Sequence, residues 1–540
     1  MKIHLQHIVL TLLLSLGTLL IKAADTVRLY LQTDKEMYVS GDNIAFKCTV
    51  IGKNLTSVPI LFVDICGENS NIKSQILYPS NQHWEGYLQI PDTLETGVYL
   101  FRTYIGNENG QVTVQTKLLP VFNRFGNNEN NENKKISNRY KNFEFPAYKP
   151  VSSLDFQVAT NKKSYGANAP IQLSLTSKNK YHGISGISLL VSKNINLTAN
   201  HGSQGNSVDF DVYNPNEQVK IYNQLFIRGK AIDSQTQQPV TNTTLLLSSP
   251  DSIPQINYTY SDSLGEFKFL LERLFGVHDL IIQTMDKSRK IDIEVYPIML
   301  PPPTIIPYYI DDDWQKSDEV KLATDRATLY KAYTKQQEEK HKNESKDKIP
   351  FYGITERRVI PARFVELIDF NEIAWEILPF VKYKIDKDET SLYIWSPVYK
   401  EYYNNPFVLV DGIPVFNNAD INVLNSEKIS WIDIQPQIRC YGDLLLNSVL
   451  SIQTHNADFS DIQLPRNAVR FTSNLFSEQY TPESQPFFKD VLLWQPYIDS
   501  SSNSTIEIKA SYEKGTYNVI AEYIDTTGKV IQSSTQIEIE

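Results

Sequence analysis

The chain has 540 residues, too many for one core, and at roughly 100–200 residues per domain three to five domains are expected. A hydrophobic fraction of 41% and a charged fraction of 21% are those of folded protein. The net charge of -10 argues against a binder of phosphate backbones, which needs clustered Lys and Arg.

The 31 Tyr and 24 Phe, with frequent Thr, Val and Ile, favour strands over helices. At the N-terminus, Lys2 precedes an apolar run from Ile8 to Ile21, broken only by Thr11, Ser15, Gly17 and Thr18, and the small residues Ala23 and Ala24 follow. This reads as a secretory signal peptide over 1–23. The alternative, an uncleaved anchor helix, needs about 20 apolar residues, and the run is shorter. No Cys sits at the cleavage point to take a lipid. Ile291 to Ile310 comes closest to a later span, but Asp292, Glu294 and Pro301-Pro302-Pro303 interrupt it.

Residues 24–122 alternate in short bursts. Arg28–Gln32, Ile44–Val50, Ile60–Ile65 and Gly97–Ile105 read as strands of a β-sandwich. Asn109-Gly110 predicts a two-residue hairpin turn before Val112–Val114. Cys48 and Cys66 are a pair for an oxidising compartment or two separate buried thiols. With Cys440 the count is three, which is no disulfide framework.

Residues 123–150 form an Asn-rich linker, with eight Asn between Asn123 and Asn142. Residues 151–220 repeat the theme. Gln157-Val-Ala-Thr-Asn-Lys-Lys-Ser-Tyr165 resembles Leu31-Gln-Thr-Asp-Lys-Glu-Met-Tyr38, and an apolar strand follows each, which predicts a second sandwich. Residues 221–300 are a third β unit with the skeleton Gly229, Asp233, Thr236, Pro239, Asp262, Gly265, Phe267 and a turn at Asp262–Gly265.

Residues 301–355 are a Pro-rich linker and a charged helix. Val320, Ala323, Ala327 and Tyr330 fall on one helical face, and Gln336–Lys348 is a solvated extension. Residues 356–460 are mixed, with a short helix expected at Ile373–Leu378 and strands at Phe407–Val410, Ile429–Ile434 and Leu450–Gln453. Residues 461–540 end in three alternating strands, turning at Lys514-Gly515 and Asp525–Gly528.

Four resemblances attach to these segments. Gln32-Thr-Asp-Lys35, Tyr38, Gly41 and Gly97-Val-Tyr99 resemble macroglobulin-type domains. The Gly229 to Phe267 skeleton resembles the carboxypeptidase regulatory-like sandwich, an accessory binding or structural module. Pro406-Phe-Val-Leu-Val-Asp411-Gly412-Ile-Pro414-Val, with Ile429–Ile434, Tyr441-Gly442 and Ser448–Ile452, resembles the plug of TonB-dependent outer-membrane receptors. Here Asp443–Asn447 replaces the usual glycine-rich stretch, and the chain after Gln453 is too short for a barrel of about 9–11 residues per strand. A receptor activity is therefore not inherited. Pro486-Phe-Phe-Lys and Leu493-Trp-Gln-Pro496 resemble the closing sandwich of macroglobulin-like envelope proteins. Together they imply a mainly β chain: tandem β-sandwich (macroglobulin/Ig-like) domains plus a smaller α+β plug-like domain, in an exported Gram-negative protein.

No residue stands out as a catalytic, cofactor-binding or metal site. Cys66-Gly67-Glu68-Asn69 differs from the thioester motif Cys-Gly-Glu-Gln by a side chain one methylene shorter, and reads as a turn. The eight His are scattered (His4, His7, His83, His182, His201, His278, His341 and His455), without zinc spacing. Asp311-Asp312-Asp313 lacks the Gly and closing Glu of a calcium loop. No Gly-x-Ser-x-Gly elbow or phosphate-binding loop occurs. The expectation is a non-enzymatic binding, adhesion or scaffold protein of the periplasm or outer membrane. It needs no cofactor, binds no nucleic acid, keeps no membrane span after cleavage, and has an envelope protein partner, an outer-membrane barrel among the candidates. The alternatives are a macroglobulin-like peptidase inhibitor without thioester and an accessory partner in TonB-linked uptake.

Overall fold

A computed structural model describes residues 27–52, 59–67, 69–79, 83–107, 110–125, 150–153, 155–177, 186–194, 221–271, 276–286, 289–302, 315–334, 349–386, 389–476, 490–499 and 504–540. The expected signal peptide, most of the Asn-rich linker, Asp311–Asp313, Gln336–Lys348 and Pro486–Lys489 lie outside these residues. So do His182, His201, His341 and Glu68. The chain forms two compact units: Met1–Gln224 with Met299–Lys340 and Ser477–Glu540, and Leu225–Ile298 with His341–Phe476.

The first unit opens with a two-sheet sandwich. Arg28–Thr33, Asn43–Ile51 and His83–Gln89 make a three-stranded antiparallel sheet. Tyr38–Val39, Val112–Phe122, Gly97–Gly106, Leu61–Gly67 and Ser70–Leu77 make the five-stranded one. Alternation at period two sends Ile44, Phe46, Cys48 and Val50 from one sheet against Leu61, Val63, Ile65 and Phe101 from the other. Phe46 and Phe101 meet edge to face at 5.4 Å. The expected two-residue turn at Asn109-Gly110 is a longer connection. The ladder ends at Gly106–Val112, and the Asn107 N–H donates to the Gln111 carbonyl at 3.0 Å. The Asn107 side chain accepts from the Gln111 N–H at 2.9 Å, supplying a closure that a tight turn would otherwise give. Asn109 itself lies outside the described residues.

The second sandwich corrects the reading that gave 151–220 a sandwich of its own and 461–540 a separate one. Ser504–Lys509 pairs with Pro170–Ser177, and Val491–Ile498 and Gly515–Ile524 flank Ile187–Lys193 on its two sides. Val530–Ile539 closes on Ser164–Tyr165 and Val151–Ser152. One core holds Ile171, Leu173, Leu189 and Val191 together with Tyr517, Val519 and Ile537. The reason is visible in Ile187–Lys193. An apolar run needs neighbours on both edges and cover on its faces, and the strands described within 151–193 are too few to provide them.

The internal repeat is a repeated hydrogen-bonded corner. In the first sandwich the Tyr38 hydroxyl donates to Asp34 Oδ1 (2.7 Å), which also accepts from the Ala45 N–H (3.1 Å). In the second, the Tyr165 hydroxyl donates to Asn161 Oδ1 (2.5 Å), which also accepts from the Gln172 N–H (3.1 Å). Thr33 and Thr160 each donate to the carbonyl two residues on.

The corners differ in charge, and that yields a prediction. Burial raises the Asp34 carboxyl from 3.8 to about 7, with Lys35 and the Tyr38 hydroxyl opposing. A folded pKa above the unfolded one gives stability that is complete below 3.8 and is lost as pH rises through about 7. Asp34→Asn, the residue found at position 161, keeps the acceptor without the charge. Relative to the parent, this variant should gain about 2–4 kcal/mol between pH 4 and pH 8. Urea melts at the two pH values measure this; parallel pH dependence of the two proteins would refute it.

The helix Asp318–Thr334 (α1) belongs to the first unit. Val320 packs with Met37 and Phe122, Ala323 packs against that cluster and Ala327 is buried, as the spacing predicts. The side chain of Tyr330 lies outside the described residues.

In the second unit, Glu266–Leu270, Phe226–Asp233 and Ile291–Val295 face Ile256–Tyr260, Thr244–Ser248, Gly276–Thr284 and Val469–Phe476. The Asp262–Gly265 turn carries the chain from one sheet to the other, with the Asp262 carboxylate accepting from the Leu264 and Glu266 N–H groups. A Cβ on Gly229 would stand 2.1 Å from the Glu294 carbonyl oxygen, so only glycine fits. The fourth strand of the second sheet, Val469–Phe476, arrives after the whole mixed segment.

That segment holds a five-stranded sheet of Arg357–Val359, Ile429–Gln435, Val449–Thr454, Phe407–Val410 and Ile413–Val415. It also holds a three-stranded sheet, Val381–Ile385, Thr390–Ser396 and Glu401–Asn404, that the sequence reading did not anticipate. Its helix, Phe370–Glu376 (α2), starts three residues before the expected Ile373. An N-cap sets that start: Asp369 accepts from the Glu372 N–H (2.9 Å), and Glu372 reaches past the cap to accept from the Ile368 N–H (3.0 Å). The chain is thus nested. The mixed segment interrupts the third sandwich, and the third sandwich interrupts the second.

Candidate interaction sites

Cys66, first residue of the thioester-like tetrapeptide, lies inside strand Leu61–Gly67, and Gly67 pairs with Ser70 across a hairpin turn. Its thiol donates to Asn71 Oδ1 at 3.3 Å, and burial pushes it up to about 12. Cys48 donates to the Thr103 hydroxyl at 3.7 Å, and burial pushes it likewise to about 12. Both thiols are free and buried on different sheets; Cys440 is free and exposed. Among the described residues, no group of three or more His, Cys, Asp or Glu converges as metal ligands would. Among them, no helix is long and apolar enough to cross a membrane.

Three polar constellations are built within the units. On the five-stranded sheet of the first sandwich, buried Arg102 donates through Nε (3.1 Å) and a terminal nitrogen (2.5 Å) to buried Asp64. That terminal nitrogen also donates to the Leu300 carbonyl (3.1 Å), and the other one to the Pro301 carbonyl (2.9 Å). The Tyr104 hydroxyl accepts from the Leu300 N–H (3.1 Å), and Asn71 donates to the Leu300 carbonyl (3.0 Å). This clasp grips the Leu300–Pro301 backbone by its peptide groups. Burial raises the Asp64 carboxyl although Arg102 opposes it. Arg102→Met should cost about 3–5 kcal/mol, because it strands Asp64 in the protein. The double variant with Asp64→Asn should recover part of that. Equilibrium urea unfolding of the four-member cycle gives the answer, and additive losses would refute the coupling.

The second constellation ties the two sandwiches of the first unit to α1. Asp490 takes Lys35 (3.3 Å) and Arg326 (2.8 Å); Glu513 takes Arg326 (3.3 Å) and Lys193. Burial works against the Asp490 charge, but Lys35 and Arg326 hold the carboxyl down at about 2. Beside it, Glu522 accepts from Tyr30 (3.0 Å), Gln532 (2.7 Å) and Gln32, and Ile51 packs on Ile524 and Val530. His83 stacks on Tyr497 at 5.1 Å. The seam thus combines half-buried ion pairs with a small apolar patch between the two sandwiches.

The third lies in the mixed segment. Asp411 and Gly412 both have positive φ (49° and 81°), the geometry of the two-residue turn between Phe407–Val410 and Ile413–Val415. The Asp411 carboxylate is fully buried. It accepts from Gln453 Nε2 (2.8 Å), the Thr454 N–H (2.7 Å), the Thr454 hydroxyl (2.7 Å) and the Phe459 N–H (3.0 Å). The Asp of the Val-Asp-Gly-Ile-Pro motif is therefore an internal clamp on the loop after Val449–Thr454.

Around this clamped core the same segment leaves large apolar side chains in solvent. Trp375 on α2 is 84% exposed, Val365 74%, Ile368 71% and Phe364 52%. On the three-stranded sheet, Trp395 meets Tyr402 edge to face at 5.0 Å and Lys382 stands 5.6 Å from the Tyr402 ring centroid. Helix α2 buries Phe370, Ile373 and Ala374 while turning Trp375 outward.

The chain is a tandem β-sandwich protein. No family model matches the sequence, and no curated protein matches it. Among solved structures, native Escherichia coli alpha-2-macroglobulin is similar with a TM-score of 0.24 and 8% identity, over 96% of this chain and 40% of that one. Salmonella alpha-2-macroglobulin reacted with methylamine gives 0.23 and 7%, over 96% and 40%. A tetra-tandem repeat from the extending region of a large adhesion protein gives 0.15 and 8%, over 96% and 100%. The chain spans about two fifths of the length of those macroglobulins.

The sequence reading named no site residue, and the structure adds Arg102, Asp411 and Trp375. A signal existed for Asp411, inside a quoted motif. Arg102 and Trp375 gave none, since a strand Arg and a helical Trp take their environment from distant chain.

Proposed function

We propose that the chain is a non-enzymatic exported envelope protein that binds a protein partner through the mixed α+β segment, with the sandwiches as scaffold. One observation carries this: Trp375, Phe364, Val365 and Ile368 stand in solvent on a segment whose core is otherwise well packed. Large exposed apolar side chains close in sequence mark interaction surfaces, because leaving them in water forfeits about 1.5–3 kcal/mol each. Aromatic anchors of this kind dominate binding energy at protein interfaces. The resemblance of Pro406–Val415 to a receptor plug and of Gly229–Phe267 to an accessory regulatory-like sandwich supports an accessory role beside an outer-membrane barrel.

The experiment is photo-crosslinking from position 375 in the native envelope, followed by mass spectrometry. Capture of one envelope protein is expected, lost when Phe364 and Val365 are both changed to Ser. No capture, or capture indifferent to those changes, overturns the reading.

A further inference from the structure

The second unit contains a cleft of about 220 Å³ that the surface described above does not use. Its floor is apolar: Val415, Phe459 and Ile462 are buried, and Pro414 and Phe416 complete the wall. Three charged groups line it. Arg289 is engaged, since its Nε donates to Asp286 Oδ2 at 2.8 Å. Asp420 has no cation partner among the described residues. Its Oδ1 accepts only the Asn417 side-chain amide, at 2.7 Å. Burial raises its carboxyl, with that amide opposing. The cleft therefore presents one uncompensated carboxylate beside an apolar wall.

That arrangement selects among ligands. An anion would meet two carboxylates and a guanidinium already paired. A neutral hydrocarbon would desolvate Asp420 and give it no partner, which is costly. A cation on a short apolar stem fills the wall and meets the charge with a charge-assisted hydrogen bond. The volume is below the roughly 300–1,000 Å³ of drug-sized sites, so the stem is short. We propose that this cleft binds a primary ammonium group on a short hydrocarbon stem, with Asp420 as its counter-ion. The ammonium belongs either to a free amine or to a lysine side chain of a partner.

The test uses the full chain with four probes, n-pentylammonium, 1-pentanol, pentanoate and Nα-acetyl-lysine amide, followed by calorimetry and ligand-detected NMR. Saturable binding of pentylammonium is expected, with 1-pentanol and pentanoate weaker by about tenfold or more, near 1.4 kcal/mol. Acetyl-lysine amide binding more tightly than pentylammonium indicates a peptide-borne lysine; the reverse order indicates a free amine. Asp420→Asn retains the acceptor for Asn417 and should weaken pentylammonium about tenfold. Asn467→Trp, which puts bulk into the cleft while leaving Asp420 in the sequence, should abolish binding. Unchanged circular dichroism and melting temperature in at least one of these variants keep the result interpretable. Absence of pentylammonium binding, equal binding of pentanoate, or indifference to either folded variant overturns the proposal. It stands apart from the partner reading, because neither variant alters Trp375, Phe364, Val365 or Ile368.

Discussion

Ending the chain at Phe476 is expected to unfold the strands of 151–193, about three hundred residues away in sequence, and not merely to trim a tail. Ile187–Lys193 is flanked on one side by Val491–Ile498 and on the other by Gly515–Ile524, and Pro170–Ser177 gives its free edge to Ser504–Lys509. Removing these strands opens both edges of one strand and one edge of the other. It also exposes Leu173, Leu175, Leu189 and Val191, all now buried. At about 1.5–3 kcal/mol per side chain the loss is about 6–12 kcal/mol, the size of a whole domain's stability. Hydrogen exchange with mass spectrometry should show full loss of protection over 156–177 and 187–193, while Phe226–Asp233 and Thr244–Ser248 keep their own. Adding residues 490–540 as a separate chain should restore protection. Retained protection in the truncated protein would sink the nested arrangement.

Asp411→Ala is expected to cost about 4 kcal/mol or more, the largest single-residue effect in the second unit. The carboxylate satisfies four donors, two of them backbone N–H groups, in a fully buried position. Each orphaned donor costs about 1–3 kcal/mol, and some relaxation will recover a part. Alanine also sits poorly at a φ of 49°. Asp411→Asn separates the two causes. Asparagine tolerates that backbone and keeps one acceptor oxygen, so its loss should fall near half that of alanine. Equilibrium urea unfolding of both variants measures the difference. If alanine and asparagine cost the same small amount, under about 1 kcal/mol, the clamp is not what holds the loop.

Both predictions concern contacts that differ in how visible they were. Asp411 sits in a motif whose turn chemistry, Asp-Gly between apolar strands, is a local property. The second sandwich was split by the sequence reading because its halves are separated by two complete insertions. Closing a long loop costs little more than closing a shorter one, since the entropy grows only with the logarithm of length. Sequence separation therefore gives no warning that Ser188 and Glu522, 334 positions apart, are bonded neighbours.

What the sequence determined by itself was local and periodic. Alternation set the strands Asn43–Ile51 and Gly97–Gly106, the Thr-Asp/Asn-Lys corner marked two related sandwiches, and helical spacing placed Val320 and Ala327 on a buried face. Each follows from the backbone period or from side chains within a dozen residues of one another. Only the tertiary structure decided which strand edges met, why Arg102 is buried with Asp64 against the Leu300 backbone, and why Trp375 is left in water. Strand edges are chemically alike, all N–H and C=O, so partner choice rests on the fit of whole faces, and a face exists only once the chain has folded.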